Sequence, residues 1–231
     1  MIAVPVTAES VKEALHEIEA CNKEADAIEL RLDYLKELSE KELRHMLSAC
    51  KKPVICTFRR LEEGGKSKAS EDKRMSTLKK CMKLGADYID LEYETAKKHR
   101  ENVFGYRKEH KLKTRIILSK HFFGFTPQFE ELKKLMKRMK GGKADVVKIV
   151  TKANTHEDNK IIFALLKEAK REGTKLIAFC MGPLGRDSRI LSMPLGSFLT
   201  FASIEQGKES ADGQIPIAEL KKIYAGLRVM F

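Results

Sequence analysis

Short runs of apolar, largely β-branched residues recur along this chain at intervals of about 20 to 35 residues, and stretches with the period of an amphipathic helix fill the gaps between them. Eight of these runs are predicted to be strands, at residues 2–6, 27–32, 53–58, 88–91, 115–118, 146–150, 176–180 and 198–202. Helices are predicted at residues 8–20, 40–49, 72–84, 96–111, 129–140, 157–172 and 217–227. The interval 183–197 is poor in helical pattern and is predicted to be a loop with a short helix.

The regular alternation of strands and helices predicts parallel strand pairing with right-handed crossovers. Most of the predicted strands are apolar throughout, as expected where both faces of a sheet are buried. Eight such units in 231 residues predict a single-domain (β/α)8 TIM barrel that spans residues 1–231. The alternative is an open, doubly wound sheet. No Gly-x-Gly-x-x-Gly sequence follows the first strand and no Walker A sequence occurs, which disfavours the nucleotide-binding versions of that sheet.

A formal net charge of +12 raises the question of a nucleic-acid partner. The lysines are mixed with glutamates along predicted helices, and no basic stretch is interleaved with aromatic residues that would stack on bases. The composition therefore predicts a solvated basic surface and no nucleic-acid partner. Such a surface also attracts anionic metabolites toward a cleft.

The sequence also lacks the signs of a membrane or secreted protein. No apolar run approaches the roughly 20 residues needed to span a bilayer. Residues 1–6 lack the basic region and the cleavage site of a signal peptide. The five cysteines are scattered and form no Cys-x-x-Cys pair, which argues against a disulfide framework and a zinc site. The expected location is the cytoplasm.

Lys148 lies in the middle of residues 146–150, a run that otherwise reads as a fully buried strand. A charged amine in such a place loses its hydration, and that loss must be offset by a partner or avoided by losing the proton. A neutral lysine amine is a nucleophile that condenses with ketones. The alternative interpretation is a lysine at a strand end, whose flexible stem reaches back to water.

Ionisable or hydrogen-bonding side chains lie at or just after the ends of seven consecutive predicted strands, where barrel enzymes place their active sites. These residues are Glu29, Arg31, Asp33, Arg59, Glu63, Asp90, Glu92, Ser119, His121, Lys148, Arg189, Ser210 and Gln214. Each one alone is weak as a signal, since ion pairs and turn residues also occur at strand ends. The repetition over seven strands favours an active site over the alternative of a strand-end lysine that reaches back to water.

The residue types in this pattern indicate imine chemistry. An imine on Lys148 would draw electrons from the adjacent carbon, and His121 is the only histidine at a strand end that can remove the proton there. Arg59 and Arg189 suit a carboxylate, because a guanidinium group forms paired hydrogen bonds with it. Glu29, Ser210 and Gln214 supply acceptors and donors for hydroxyl groups. These residues predict a lyase or aldolase that acts on a hydroxylated keto acid, and they leave open which bond is cleaved.

Seven segments, in order along nearly the whole chain, resemble the type I 3-dehydroquinate dehydratases, imine-forming enzymes of the shikimate pathway of aromatic amino acid biosynthesis. The matching segments are residues 29–33, 57–59 with 63–65, 89–92, 119–121, 145–149, 181–182 with 188–189, and 210 with 213–215.

The resemblance implies a role for each residue. Lys148 would attack the ketone of 3-dehydroquinate, and His121 would remove the neighbouring proton and help the hydroxyl leave as water in a syn elimination that gives 3-dehydroshikimate. Glu63 would position the histidine, although Glu62 beside it leaves two candidates. Arg189 with Arg59 would bind the carboxylate. The residues implied to orient the ring hydroxyls are Glu29, Arg31, Ser210 and Gln214. The resemblance further implies no cofactor, no metal and a homodimer.

The sequence departs from the usual family pattern at three positions, Lys120, Phe122 and Asp212, where a tyrosine, an aspartate and a proline are common. Adjacent strand residues face opposite ways, so Lys120 is expected to point away from His121 unless the strand bulges. Asp212 is expected to make its loop more flexible.

Two other functions compete with this one. A class I aldolase or transaldolase also uses a barrel lysine, and residues 182–189 resemble a phosphate-binding loop. A non-catalytic basic barrel would instead bind nucleic acid with a steep salt dependence.

Overall fold

The structure is a computed structural model; it describes the backbone of residues 1–230 and the side chains of residues 1–227. Eight strands alternate with helices: β1 Ile2–Val6, β2 Ala27–Arg31, β3 Val54–Thr57, β4 Tyr88–Glu92, β5 Arg115–His121, β6 Val146–Lys152, β7 Leu176–Met181 and β8 Thr200–Phe201. The helices are α1 Val11–Glu24, α2 Glu40–Ala49, α3 Glu71–Lys83, α4 Lys97–Glu109, α5 Phe129–Gly141, α6 Glu157–Arg171, α7 Arg186–Leu191 and α8 Ile217–Met230.

The strands form one parallel sheet in the order β7-β6-β5-β4-β3-β2-β1-β8. β7 and β8 approach each other at the remaining gap, where the Phe198 N–H donates a hydrogen bond of 2.7 Å to the Leu176 carbonyl. The predicted (β/α)8 barrel is therefore confirmed as a nearly closed barrel, and the open doubly wound sheet is wrong.

Alternating residues of each strand face two different cores, which explains why the strands are apolar on both faces. On β6, Val147 and Ile149 pack outward in the large cluster between the sheet and the helices. Val146 and Val150 face the inner cluster that fills the barrel. Lys148 lies between these two valines and so points into the barrel.

The predicted element boundaries hold to within a few residues, with three informative differences. β5 and β6 continue past their predicted ends to His121 and Lys152, and β8 shrinks to two residues that pair with the start of β1. The short α7 is the short helix predicted within the interval 183–197. α1 begins at Val11 because the Ser10 side chain caps it by accepting a hydrogen bond from the Glu13 N–H.

None of the helices described for residues 1–230 is long and apolar enough to cross a membrane.

Candidate active site

A cavity of about 290 Å³ opens at the carboxyl ends of the strands. All nine residues predicted to form the site line this cavity: Glu29, Arg31, Arg59, Glu63, His121, Lys148, Arg189, Ser210 and Gln214. The barrel thus brings together side chains that are separated by up to 185 residues in the sequence, from Glu29 to Gln214. Which of them touch a substrate depends on their individual environments.

Lys148 lies at the inner end of the cavity and is only 5% exposed. Its Nζ donates a hydrogen bond of 3.0 Å to Oδ2 of Asp90 and lies 3.9 Å from Oε1 of Glu29. The ring of Phe201 lies beneath the amine, with its centroid 4.4 Å from Nζ. Of the two ways to tolerate a buried amine, the structure shows a partner, because the Asp90 carboxylate replaces the lost hydration.

Asp90 is the centre of a buried acidic network on β4. Besides Lys148, it accepts hydrogen bonds from Nη2 of Arg59 at 2.8 Å and from Oγ of Ser119 at 2.5 Å. Burial alone would raise the pKa of the Asp90 carboxyl, but Arg59 and Lys148 outweigh burial and hold that pKa well below its ordinary value. Asp90 is therefore a fixed negative charge beside the amine.

Arg59 is engaged by protein groups rather than directed at an open space. Its Nη1 donates to Glu92 at 3.1 Å and to Ser119 at 2.8 Å, in addition to the bond to Asp90. Burial would lower the pKa of the Arg59 guanidinium, but Asp90 and Glu92 raise it above its ordinary value. Sequence reasoning paired Arg59 with Arg189 as a carboxylate anchor, a role that stays a prediction; in this structure its donors already hold two carboxylates.

Arg74 on α3 completes this network and was missed by sequence reasoning. Its guanidinium binds Glu92, and its Nε donates a hydrogen bond of 2.9 Å to the Phe58 carbonyl. Arg74 is 2% exposed. Nothing in the sequence separates it from the other 44 lysines and arginines, because it lies in the middle of an amphipathic helix.

His121 is held by Glu63, which lies on the turn Leu61–Glu63 after β3. Oε2 of Glu63 lies 2.9 Å from Nδ1 of His121 and accepts a hydrogen bond of 3.2 Å from the His121 backbone N–H. Oε1 of Glu63 is buried and has no partner among the described residues. Glu62, by contrast, is exposed and pairs with Arg60, so Glu63 is the residue that contacts the histidine.

The electrostatics of this pair favour a neutral histidine. Burial, together with the positive charges of Arg59 and Lys148, lowers the pKa of His121 well below its ordinary value, against the opposing effect of Asp90. Burial raises the pKa of Glu63, although Arg59 and Lys120 oppose that rise. With Nδ1–H donating to Glu63, the unprotonated nitrogen of the ring is Nε2, which is the form of a general base.

Arg189 offers the free positive charge that Arg59 lacks. It is 1% exposed, its Nη2 donates to the Asp212 carbonyl at 2.9 Å, and its Nε and Nη1 have no hydrogen-bond partner among the described residues. The guanidinium lies over the Phe179 ring, 4.6 Å from its centroid. Burial lowers the pKa of Arg189 to about 10. A buried guanidinium with two free donors suits a carboxylate.

The loop after β8 covers part of the cavity. Gln214 is bound to Ser210: its side chain accepts from the Ser210 N–H at 2.7 Å and donates to the Ser210 Oγ at 3.1 Å. The loop packs against the loop after β7, where the Gly182 N–H donates to the Asp212 carbonyl at 3.2 Å. Gly213 has a positive φ of 76°, and a Cβ there would lie 2.6 Å from the Gly182 carbonyl oxygen, so this approach requires glycine.

Glu29 and Arg31 line the cavity from β2. Glu29 accepts a hydrogen bond of 2.7 Å from Thr57, and Arg31 forms two bonds to Asp33 of 2.9 and 2.7 Å. Thr57 and Asp33 thus orient the side chains of Glu29 and Arg31 within the cavity.

Lys120 points away from the cavity, as predicted for a regular strand. It pairs with Glu94 at 3.1 Å and lies over the Phe122 ring. β5 and β6 stay in register through Lys120 and His121, without a bulge.

Within residues 1–230, no group of three or more His, Cys, Asp or Glu side chains is arranged to hold a metal ion.

The barrel and the cluster at its strand ends define an enzyme of the TIM-barrel class with a buried lysine and a paired histidine. A sequence profile of the type I 3-dehydroquinase family matches residues 2–230. The chain belongs to this family, whose activity is that of a hydro-lyase.

Curated relatives agree over nearly the whole chain. The 3-dehydroquinate dehydratase of Methanocaldococcus jannaschii is 36% identical over 224 residues, which cover 97% of each protein. The chloroplastic bifunctional 3-dehydroquinate dehydratase/shikimate dehydrogenase of Arabidopsis thaliana is 34% identical over 99% of this chain and 37% of the plant protein.

Solved structures also match. A type I 3-dehydroquinate dehydratase of Clostridium difficile, solved with covalently modified comenic acid, superposes with a TM-score of 0.90 at 28% identity, over 100% of this chain and 92% of the other. The 3-dehydroquinate dehydratase of Geobacillus kaustophilus gives a TM-score of 0.91 at 27% identity, over 99% and 91% of the two chains.

Proposed function

We propose that this chain converts 3-dehydroquinate to 3-dehydroshikimate by a syn elimination of water through an imine on Lys148, as a step of the shikimate pathway. The observation that carries the proposal is the buried Lys148 amine, which faces a cavity that also holds a histidine free to act as a base and a guanidinium with free donors. The family to which the chain belongs supports the choice of substrate.

The reaction begins when Lys148 passes a proton to His121 and the resulting neutral amine attacks the ketone carbon. His121 returns that proton to the hydroxyl of the carbinolamine, which leaves as water and gives a protonated imine. Nε2 of His121 then removes a proton from the carbon next to the imine, and the electron pair of that C–H bond moves into the imine to give an enamine. This pair returns to expel the β-hydroxyl, which leaves as water with the proton from His121. Hydrolysis of the imine by a second water restores Lys148 and releases the enone product.

Each neighbouring residue has a distinct task in this scheme. Asp90 holds the Lys148 amine in place until the substrate arrives, and it stabilises the protonated imine once it has formed. Glu63 orients His121 and stabilises its charged form after proton transfer. In our scheme the carboxylate binds Arg189, and Arg59 acts by organising Asp90 and Glu92.

The remaining cavity residues bind the ring hydroxyls. Glu29 and Gln214 supply acceptors, while Arg31 and Ser210 supply donors, from β2 and from the loop after β8. Their own partners, Thr57, Asp33 and each other, hold them in position before the substrate binds. The proposal extends to one catalytic domain over residues 1–231, a homodimer and a cytoplasmic location; the last two are supported by the family resemblance and by the sequence composition.

The direct test is turnover of 3-dehydroquinate by the purified chain, followed by the rising absorbance of the conjugated enone. We expect turnover without added cofactor, and none with Lys148→Ala. Lys83→Ala is the matched control, because Lys83 is exposed at the far end of α3. A folded wild-type chain that releases no enone would refute the proposal, and cleavage of phosphorylated substrates would favour the aldolase alternative.

A further inference from the structure

Lys152 is a second lysine of the cavity, and the mechanism above does not use it. It is the last residue of β6, two positions beyond Val150 and four beyond Lys148, so all three side chains leave the same face of the strand. Four residues of parallel strand correspond to about 13 Å between the Cα atoms of the two lysines. Lys148 thus lies at the inner end of the cavity and Lys152 at its mouth.

The backbone at Lys152 is fixed by neighbouring loops. The Lys152 N–H donates to the Phe125 carbonyl at 3.4 Å, and the Thr126 hydroxyl donates to the Lys152 carbonyl at 2.9 Å. The next residue, Ala153, donates to the Met181 carbonyl at 3.1 Å. These contacts extend β6 beyond the buried part of the sheet, and they hold the Lys152 side chain at the rim while the amine stays exposed to solvent.

The charges around the cavity separate Lys152 from the other basic residues. Arg31 is paired with Asp33, while Arg59 and Lys148 are paired with Asp90. In the described part of the chain, two positively charged side chains of the cavity have no carboxylate partner: the buried Arg189 and the exposed Lys152.

Asp212 is the acidic group at the same rim, and it does not cancel this charge by direct contact. Its backbone carbonyl accepts from Arg189, and its carboxylate forms no ion pair with any of the side chains described for residues 1–227. The charge of Lys152 is therefore available to an incoming anion.

The geometry points to Lys152 as the residue that captures the substrate carboxylate at the mouth of the cavity, before the carboxylate passes to Arg189. This inference rests on the proposed function, because the captured carboxylate is that of the proposed substrate. An exposed cation acts on an approaching anion through water, where its reach is about 30 Å at 0.01 M salt and about 3 Å at 1 M salt. The Lys152 charge should therefore speed the binding of substrate in a salt-dependent way and leave the rate of the chemical step unchanged.

Lys152→Gln tests this assignment. We expect kcat/KM to fall roughly three- to tenfold at low salt, the scale set by one unit charge a few ångströms from its partner in water, with kcat unchanged. The loss should disappear at about 0.5 M salt, where charges are screened. Lys152→Arg should retain the wild-type value, and Lys83→Gln should too, since it removes the same charge from the opposite end of the barrel.

A second readout separates this inference from the proposed function. Quinate has an alcohol where the substrate has its ketone, so it cannot form an imine, and its binding is measured by calorimetry at low and high salt. The inference predicts weaker quinate binding by Lys152→Gln at low salt only. The inference is overturned if Lys152→Gln keeps the wild-type kcat/KM and quinate affinity at low salt, or if its loss of either persists at high salt. A fall in kcat, or an equal loss of kcat/KM in Lys83→Gln, would also overturn it. Absent turnover with intact salt-dependent quinate binding would instead refute the dehydratase activity alone.

Discussion

Glu63 holds His121 at two points, since the same carboxylate oxygen lies 2.9 Å from the ring nitrogen Nδ1 and 3.2 Å from the backbone nitrogen. A ring rotation that broke the first contact would leave a buried carboxylate with only the second. The pair therefore fixes both the orientation of the ring and the nitrogen that carries its proton. Nε2 is left as the basic atom of the site.

Glu63→Ala is expected to lower kcat by roughly 10- to 100-fold, because it removes one charge-assisted hydrogen bond worth about 1.5–3 kcal/mol to the charged histidine. KM should change little, since Glu63 orients the base rather than the substrate. Steady-state kinetics of the two proteins check this split. Glu62→Ala is the matched control; an equal loss in that variant would mean that the role of Glu63 has been misassigned.

The pH profile of kcat/KM should keep its plateau to a lower pH than an ordinary histidine would allow. Burial and the charges of Arg59 and Lys148 lower the pKa of His121, so the catalytically competent neutral form persists below pH ~6.5, the value of a free histidine. Rate measurements across the acid range check the midpoint. An acid limb centred above that value would contradict the environment described for the ring.

The same shift makes a prediction for stability. The folded chain holds His121 with a lowered pKa, so as the pH falls the unfolded chain takes up this proton first. The contribution of the neutral His121 to the free energy of unfolding is therefore fully present above pH ~6.5, and it is lost as the pH falls toward the pKa of the folded state. Urea unfolding of wild type and His121→Asn should show a weaker acid dependence below pH ~6.5 in the variant. Parallel curves would contradict the shift.

Arg189→Met should raise KM roughly 10- to 100-fold, since the carboxylate loses charge-assisted hydrogen bonds worth about 1.5–3 kcal/mol, while the apolar stem over Phe179 is retained. The measurement is KM for 3-dehydroquinate, with kcat followed alongside. An unchanged KM would return the carboxylate to Arg59, as the sequence alone allowed.

Arg59→Met should lower the free energy of unfolding, in contrast to Arg189→Met, whose main effect should be on KM. It would leave Asp90 and Glu92 buried without their main counter-charge, and breaking a buried pair in this way costs about 3–5 kcal/mol. The check is the free energy of unfolding in urea, compared with that of Arg189→Met, which removes a guanidinium that has no carboxylate partner among the described residues. Similar losses of unfolding free energy in Arg59→Met and Arg189→Met would contradict the assignment of Arg59 as the carboxylate-paired guanidinium and Arg189 as the free one.

The sequence predicted the barrel because the alternation of strands and helices follows from periodicity, and it placed the candidate site residues at strand ends. Alternate residues of a strand share a face, but only the structure shows which face turns inward: Val146 and Val150, on either side of Lys148, lie in the inner cluster. The ends of β5 and β6 were placed too early because polar residues such as Lys120 and Lys152 hide a strand that continues into the active site.

Pairing between side chains could not be predicted in the same way. Arg59 and Arg189 are identical as residue types, and only the positions of Asp90 and Glu92 separate the paired guanidinium from the free one. Arg74 went unnoticed for the same reason, since its partner Glu92 lies on a different element. Phe179 and Phe201 read as ordinary core residues, although their rings lie against Arg189 and Lys148.

Reduction of the reaction mixture with borohydride tests the imine on Lys148 most directly. Trypsin cleaves after lysine, so an adduct on Lys148 joins residues 144–152 into one peptide, whereas an adduct on Lys152 joins residues 149–160. We predict one substrate-derived adduct, within residues 144–152 and absent from Lys148→Ala. Turnover without a trapped adduct, or an adduct on Lys152 instead, would contradict the account.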